Sequence, residues 1–320
     1  MSSLQRGLLM VLPFALWGTA MAAMAPLVHS GGPVLVACLR LLPAGAVLLV
    51  AVPRLGRSLR IDPGDRGWFV LFTLVDAFLF QIFLAKGIEG TGAGLGSVLI
   101  DSQPLIVALL ARWLFEESIN PFGWLGLALG LAGIVCLGVP APLLNHWWLE
   151  ADLSSWESGW QSGTGWMLLA ALTMAFGTVI SRFACRRSDP VAVTGWHMLF
   201  GGIPLLIWHG LDPATSMLPP WTGLDWAQMA YASILGSALA YGLFFWFANR
   251  EDLTGFTTLG FLTPVFALVS GGVLLGERLA GLQWLAVLLV LASVLLVSQR
   301  QKLWDPLLRT ASPQPGDMKA

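Results

Sequence analysis

Four ionisable side chains lie within strongly apolar stretches of the sequence: Arg40, Asp76, Asp101 and His197. A charge at the middle of a bilayer costs at least about 2.5–3.5 kcal/mol on insertion scales, so such groups require a partner or a function. We expect Arg40 to pair with Asp76 or Asp101, which leaves the other aspartate free to titrate beside a water-filled cavity and to carry a coupling proton. The alternative is a closed network of these charges that only holds three helices together.

Arg40 and His197 occupy comparable positions, since each follows a proline, Pro33 or Pro190, by seven residues. The planar guanidinium of an arginine binds a carboxylate in a bidentate manner, so Arg40 suits an anionic substrate group. His197 is a candidate proton relay or inner gate, and the alternative is a hydrogen-bonded core histidine. Three neutral side chains at similar depth are candidates to add hydrogen bonds to a ligand: Gln81, Gln103 and Tyr241.

Two prolines fall inside predicted membrane spans and are candidate helix breaks. Pro104 and Pro264 have no backbone N–H, so each frees the carbonyl four residues earlier, at Ile100 and Gly260. Such a break can act as a hinge or bind a ligand. The alternative is a kink whose free carbonyl is satisfied by neighbouring helices.

The composition of the chain indicates a membrane protein. Of its 320 residues, 56% are hydrophobic and 11% are charged, whereas soluble domains have about 25% charged residues. The net charge of −1 provides no basic patch, so we expect a small-molecule substrate, protons and the lipid bilayer as partners, and no nucleic acid. The three cysteines are scattered and lack CxxC or Cys/His spacing, so we predict no metal site and no cofactor.

Ten apolar stretches are long enough to cross a hydrocarbon core of about 30 Å as helices. Their predicted ranges are 7–27, 33–53, 67–86, 92–114, 121–139, 164–184, 190–209, 225–247, 254–276 and 280–299. Short connections between most of them favour antiparallel neighbours in one bundle. The predicted fold class is therefore an all-α polytopic membrane protein with ten transmembrane helices.

Lys and Arg are distributed unevenly between the two sides of the membrane. With the N-terminus inside, most of them fall on the inner side, including Arg6, Arg250 and the arginines of 54–66. Only Lys86 and Arg278 fall on the outer side. The positive-inside rule then predicts that both termini are cytoplasmic. We expect the membrane to be the inner or plasma membrane of a cell.

The two halves of the sequence resemble each other. The matched positions, separated by 157 to 160 residues, are Gly18 and Gly177, Arg40 and His197, Pro104 and Pro264, and Glu117 and Glu277. Because each half has five predicted spans, an odd number, the second half enters the membrane in the opposite orientation. Inverted repeats are typical of secondary transporters, which bind substrate between the halves near the midplane. The alternative is chance likeness among helices rich in Gly, Leu and Ala.

The repeat divides the chain into four segments. We predict a first repeat over 1–140, an external connection over 141–163, and a second repeat over 164–299. The external connection is acidic and rich in tryptophan, which favours a position at the headgroup level. The polar remainder, 300–320, is predicted to be a cytoplasmic, disordered tail.

Several longer strings are characteristic: FALWGTA, CLRLLPAGAVLL, GLGSVLIDSQPL and LGFLTPVFALVSGGVLLGERL. On these strings the chain resembles the EamA-like family of the drug/metabolite transporter superfamily, and GLGSVLIDSQPL resembles a branch found in cyanobacteria and plant chloroplasts. The resemblance implies a ten-helix protein that exports small metabolites, amino acids or toxic compounds by exchange or proton coupling. It also implies that Glu117 and Glu277 terminate or orient helices. The positions that match recurring family positions are Trp17, Gly18, Arg40, Pro104, Glu117, Pro264 and Glu277.

These observations predict a secondary transporter that exports or exchanges an amino-acid-like metabolite or organic anion by alternating access. They do not predict an enzyme. A passive channel is one alternative, but the sequence has no carbonyl-type filter motif. An intramembrane enzyme is another, because Asp76 and Asp101 invite comparison with the carboxylate dyad of aspartyl proteases. The YD and GxGD strings of such a protease and the metalloprotease motif HExxH are absent from the sequence. A structural or assembly protein is the third alternative.

Overall fold

The computed structural model describes residues 3–84, 86–87, 99–138, 163–211, 219–275 and 281–311. Every regular element in these ranges is a helix, which confirms the predicted all-α class. The helices are α1 (Ser3–Gly31), α2 (Pro33–Arg54), α3 (Arg66–Leu84), α4 (Gln103–Leu114), α5 (Pro121–Gly138), α6 (Thr164–Ala184), α7 (Pro190–Leu211), α8 (Gly223–Ala248), α9 (253–275) and α10 (Gly281–Ala311).

Seven helices in the described ranges, α1, α2, α3, α6, α7, α8 and α10, are long and apolar enough to cross a membrane. The described apolar parts of α4, α5 and α9 are shorter. Since a span needs about 20 apolar residues, the seven long helices confirm a polytopic membrane protein. Residues 139–162, which include nearly all of the predicted external connection, lie outside the described ranges, as does Glu277.

Two long helices contain a π-helical stretch. In α3 it covers Thr73–Leu79, and in α8 it covers Ile234–Leu239. A π-helical turn holds one more residue than an α-helical turn, so it changes the direction in which the following side chains point, and such turns are frequent at functional sites. Both stretches lie near the middle of their helices.

The two candidate helix-break prolines lie at the start of α-helical segments and kink no helix from within. Pro104 is in the first turn of α4, after a turn at residues 101–102. Pro264 follows the 3-10 turn Leu259–Phe261 within α9. A proline in a first helical turn lacks an N–H that would have no intrahelical partner in any case. The predicted continuous fourth span is therefore interrupted just before Pro104.

The helices pack in recurring pairs. α2 lies against α7, and α5 lies against α10. α1 contacts α8 and α9, while α6 contacts α3 and α4. The main core between them is rich in buried aromatic rings, among them Phe14, Phe72, Phe244, Phe245 and Phe256. Because these rings are fully buried, they fix the positions of the polar groups beside them.

Ion pairs concentrate at the end of the bundle where α2, α4, α6 and α8 terminate. We call this the basic end. The described pairs there are Arg6–Glu251, Arg57–Asp189, Arg182–Glu117, Arg187–Asp62 and Arg300–Asp252. Glu117 also accepts hydrogen bonds from the backbone N–H groups of Leu253 (2.8 Å) and Thr254 (3.0 Å), so its carboxylate caps the start of α9.

The C-terminal helix extends further than the sequence indicates. α10 continues to Ala311, through the first part of the segment predicted as a disordered tail. Arg300 is only 5% exposed, and it binds both carboxylate oxygens of Asp252 at 2.8 and 2.9 Å. Asn120 donates a hydrogen bond of 2.6 Å to the Arg300 carbonyl. These contacts stabilise the helix beyond residue 299, so the prediction of a disordered tail does not hold for 300–311.

Candidate functional site

Asp76 and His197 form a buried pair between α3 and α7. Asp76 lies in the π-helical stretch of α3 and is 4% exposed, and His197 is 1% exposed. His197 Nε2 lies 2.9 Å from Asp76 Oδ2. The imidazole stacks on Phe72 with ring centroids 4.3 Å apart and meets the edge of Phe245. The pair is therefore a polar contact enclosed by aromatic rings.

The space for this carboxylate comes from Gly177 on α6. A Cβ atom at Gly177 would collide with the side chain of Asp76. The close approach of α6 and α3 thus requires a residue without a side chain at position 177. Gly177, the position matched to Gly18 in the first half, is therefore part of the site.

The expected pairing of Arg40 with Asp76 or Asp101 is wrong. Within the described ranges, the ion-pair partner of Asp76 is His197, and Arg40 forms no ion pair. The physical reason is the π-helical turn at Asp76, which directs the carboxylate toward α7. An α-helical periodicity of 3.6 residues does not anticipate that direction.

Arg40 instead lies beside Tyr241, between α2 and α8. An Arg40 guanidinium nitrogen, Nη2, is 3.5 Å from the Tyr241 hydroxyl, which lies in a residue that is 7% exposed. The Tyr241 ring packs on Trp17 with centroids 4.9 Å apart. Ser233 donates a hydrogen bond of 3.1 Å to the Arg40 carbonyl. Arg40 thus lies beside aromatic side chains of α1 and α8.

Two buried donors at this place have no hydrogen-bond partner in the described part of the chain, Arg40 Nε and Trp17 Nε1. Buried polar groups are nearly always satisfied, so an unpaired donor needs an explanation. Both residues contact Tyr241, which places the two donors in one neighbourhood. The arrangement can accept an oxygen ligand, and an anionic one would suit the guanidinium best.

Tyr241 connects the two polar contacts. Its hydroxyl lies 3.5 Å from Arg40, and its ring packs on Phe245, which also packs on the His197 ring. A change in the charge of the Asp76–His197 pair will therefore be felt at the Arg40 contact, because electrostatic interactions are strong where water is excluded.

The other predicted site residues lie around this centre with different partners. Gln103 is buried and donates a hydrogen bond of 2.9 Å to Thr178 on α6. Gln81 is buried in α3. Asp101 lies half-buried on the turn before α4, and no hydrogen bond or ion pair among the described residues includes its carboxylate. Asp76 and Asp101 form no carboxylate dyad, since Asp76 is bound to His197.

The helix breaks of α4 and α9 meet each other. A Cβ atom at Gly260, in the 3-10 turn of α9, would lie 3.4 Å from the ring of Pro104. The carbonyl of Gly260 is the one that Pro264 cannot bond. The ring of Pro104 thus lies against the turn that precedes Pro264.

Sequence reasoning missed Trp17, Thr178 and Ser233 as site residues. Trp17 and Thr178 adjoin the matched glycines Gly18 and Gly177, and that proximity is the sequence signal that could have found them. Ser233 has no signal in the sequence, because its role depends on the packing of α8 against α2. Within the described ranges, no group of three or more His, Cys, Asp or Glu side chains could hold a metal ion.

The EamA-like transporter family model matches this chain over residues 5–139 and 161–299. The chain belongs to the EamA-like transporter family. An uncharacterized transporter of Synechocystis is 46% identical over 308 residues, covering 94% of this chain and 92% of the relative. A chloroplastic WAT1-related protein of Arabidopsis thaliana is 44% identical over 294 residues, covering 90% of this chain and 68% of the relative. These likenesses confirm the resemblance drawn from the sequence, including its cyanobacterial and chloroplast branch.

A probable amino-acid metabolite efflux pump of Salmonella typhimurium is 27% identical, covering 90% of this chain and 93% of the pump. A solved crystal structure superposes with a TM-score of 0.73 at 18% identity and covers 90% of this chain, so it shows the fold alone. This EamA-like protein is a multi-pass integral membrane transporter, and it is not an enzyme.

Proposed function

We propose that this EamA-like protein is a secondary transporter of ten transmembrane helices in two inverted halves, which exports or exchanges a small organic anion or amino-acid-like metabolite by alternating access. Both termini face the cytoplasm, in the inner or plasma membrane. The double match of one family model to residues 5–139 and 161–299 supports the two halves. Because five spans per half is an odd number, the second half crosses the membrane in the opposite orientation to the first.

Equivalent packing in the two halves supports the same proposal. α7 packs against the π-helical stretch of α3, and α2 packs against the π-helical stretch of α8. α1 contacts α9, and α6 contacts α4, its equivalent by position in the sequence. The interruptions before Pro104 and Pro264 lie at matched positions as well. A two-fold relation between the halves accounts for each of these pairs together.

The observation that carries the functional proposal is the position of the two polar contacts. Asp76–His197 joins α3 of the first half to α7 of the second, and Arg40–Tyr241 joins α2 of the first half to α8 of the second. Alternating access moves one half against the other around a central site. Groups that change their charge or their partner at this interface can therefore couple transport to a proton or a substrate.

The substrate anchor in this proposal is Arg40. Its unpaired Nε and the unpaired Trp17 Nε1 are donors that a carboxylate of the substrate would satisfy. The aromatic rings of Trp17 and Tyr241 would contact the apolar part of the same molecule. An amphipathic organic acid fits this combination.

The coupling group in this proposal is the Asp76–His197 pair. With a proton shared between them the pair carries less net charge and stays closed, and with the proton lost the buried carboxylate needs another partner. Arg40 lies in the same neighbourhood, because its contact Tyr241 packs on Phe245 and Phe245 packs on the His197 ring. Loss of the proton and binding of an anionic substrate would then compete for the same guanidinium, so proton binding and anion binding would favour each other.

Purified protein in liposomes tests the proposal. Liposomes loaded with a metabolite mixture are placed in buffer, and mass spectrometry identifies what crosses. We expect saturable export of organic acids, stimulated by substrate on the opposite side and by a pH gradient. Flux that neither saturates nor responds to substrate on the opposite side would instead indicate a channel. If no metabolite crosses, the proposed transport is wrong, although the family membership still holds.

A further inference from the structure

A cleft of about 310 Å³ opens at the basic end, between the end of α6 and the turn that joins α8 to α9. Its lining is predominantly basic and polar. The lining residues are Arg182, Cys185, Arg186, Asn249, Arg250 and Glu251. This cleft is separate from the Asp76–His197 and Arg40–Tyr241 contacts, with which it shares no residue.

The carboxylates near the cleft are already bound to other groups. Glu251 binds the guanidinium of Arg6, with oxygens 2.5 and 2.6 Å from Nη2. Glu117 caps the start of α9, and Arg182 lies 3.6 Å from it. Arg182 also donates a hydrogen bond of 2.8 Å to the Ala248 carbonyl. Arg182 is thus fixed at the floor of the cleft. Asp65, whose carboxylate accepts hydrogen bonds from the backbone N–H of Arg187 and from Ser188, forms no ion pair with the remaining arginines in the described residues.

Arg186 and Arg250 have no carboxylate partner within the described ranges. The guanidinium of Arg186 stacks over Phe183 at 4.5 Å. That of Arg250 lies 3.2 Å from the Trp246 ring centroid, and the guanidinium of Arg57 lies 3.9 Å from the same centroid. Two guanidinium groups at these distances must occupy opposite faces of one indole. Stacking holds the two arginines in place without neutralising them.

The local charge is unfavourable without an anion. Burial and the positive charge of Arg57 lower the pKa of the Arg250 guanidinium, although Asp189 acts in the opposite direction. Arg57 itself forms an ion pair with Asp189, with Nη1 3.3 Å from Oδ2. Excess positive charge at a fixed place, with rigid forks of donors directed at a cavity, is the arrangement that binds an oxyanion.

We propose that this cleft is a binding site for a phosphate group, contacted by Arg186 and Arg250 with Arg182 at the floor. Two unpaired guanidinium groups match a doubly charged group with several oxygens better than a single carboxylate. The ends of membrane spans lie at the headgroup level, so the phosphate can belong to an acidic lipid or to a soluble molecule. The chemistry of recognition is the same for both sources.

The test compares two double variants with the same change in charge. Arg186→Gln with Arg250→Gln removes the two unpaired cations of the cleft. Arg60→Gln with Arg66→Gln removes two exposed arginines outside it. Delipidated protein in detergent is titrated with inorganic phosphate at constant ionic strength, with melting temperature as the readout. Native mass spectrometry then measures binding of phosphatidylglycerol, with phosphatidylcholine as the neutral reference.

We expect the unaltered protein to bind at least one probe, and the cleft variant to bind it about tenfold or more weakly, because two charged hydrogen-bond donors are lost. The control variant should keep the original affinity. Binding of inorganic phosphate identifies a soluble ligand, and binding of phosphatidylglycerol alone identifies a lipid headgroup. Failure of both probes to bind, or equal losses in the two variants, would overturn the proposal.

Arg186→Gln alone keeps the test decisive if the double variant is unstable. The Arg186 side chain is exposed, and its described contact is the stacking on Phe183. We expect the affinity of this single variant for the probe to fall as well, by a smaller factor than in the double variant. Because the assay needs no transport, its result is independent of the function proposed for Arg40 and Asp76.

Discussion

The two polar contacts at the centre of the bundle differ in how closely their groups approach each other, although each has a buried nitrogen without a partner in the described residues, His197 Nδ1 and Arg40 Nε. Asp76 and His197 are almost fully buried and face each other at 2.9 Å. Arg40 and Tyr241 approach each other only to 3.5 Å, and Arg40 Nε has no partner in the described part of the protein. A closed pair suits a proton, which needs no space. An open contact with spare donors suits a ligand.

The difference follows from the residues at matched positions. His197 corresponds to Arg40, and each lies on a helix that packs against the π-helical stretch of the opposite half. The first π-helical stretch carries Asp76, whereas the second carries the small residues Gly236 and Ser237 near the equivalent place. The site at His197 therefore contains a carboxylate. The site at Arg40 contains a cation without an ion-pair partner in the described residues.

The largest expected effect is at Arg40. Arg40→Gln should lower kcat/KM for an organic acid in liposomes by roughly a hundredfold, the equivalent of about 3 kcal/mol for the loss of a paired charge. Arg40→Lys should recover part of the loss, because it keeps the charge without the planar fork. Arg60→Gln, at an exposed position, serves as the matched control. Equal activity of Arg40→Gln and the control would remove Arg40 from the transport site.

The second effect separates coupling from binding. Asp76→Asn keeps the shape of the side chain but removes the charge opposite His197, so export should no longer respond to an imposed pH gradient. The stability of the protein should fall by about 1.5–3 kcal/mol, as expected for a lost hydrogen bond to a charged group. Asp305→Asn, an exposed acid on α10, is the control. An unchanged response to the gradient would show that this pair carries no coupling proton.

The third effect tests the space that Gly177 provides. Gly177→Ala should push Asp76 away from His197 and destabilise the protein by about 1–3 kcal/mol, as overpacking does. Gly67→Ala, where an added Cβ meets no atom within 4 Å, should leave the melting temperature unchanged or slightly raised. Thermal unfolding in detergent measures both. Similar melting temperatures for the two variants would contradict the close approach of α6 and α3.

The smallest effect concerns Tyr241. Tyr241→Phe removes a hydroxyl that is 3.5 Å from Arg40, at the outer limit of a hydrogen bond. We expect KM for an organic acid to rise by roughly twofold to fivefold, which corresponds to about 0.5–1 kcal/mol, with little change in stability. A loss as large as that of Arg40→Gln would mean that Tyr241 itself binds the substrate.

Most of the fold could be predicted because membrane spans have a strong signal. Apolar stretches of about 20 residues and short connections determine where helices begin and end. The differences arise where side-chain contacts override that signal. Arg300 extends α10 through its bonds to Asp252, and the turn at 101–102 interrupts the fourth predicted span.

The residues of the candidate site could be predicted from the sequence, but not which of them contact each other. Burial of charge in apolar sequence singles out Arg40, Asp76 and His197, since such residues are costly without a function. Their partners depend on the π-helical turn at Asp76 and on the absence of a side chain at Gly177. Both are properties of packed helices, and a hydropathy pattern contains no information about the direction of a side chain.

The contacts of Arg300 determine where this protein can be cut or extended. A chain shortened to residue 299 would lose the bonds of Arg300 to Asp252 and Asn120, although the packing of α10 against α5 before residue 300 would remain. A tag or reporter attached after Ala311 leaves them in place. Comparing the yield of folded protein from chains that end at 299 and at 311 checks this directly, and we expect the longer chain to give more folded protein.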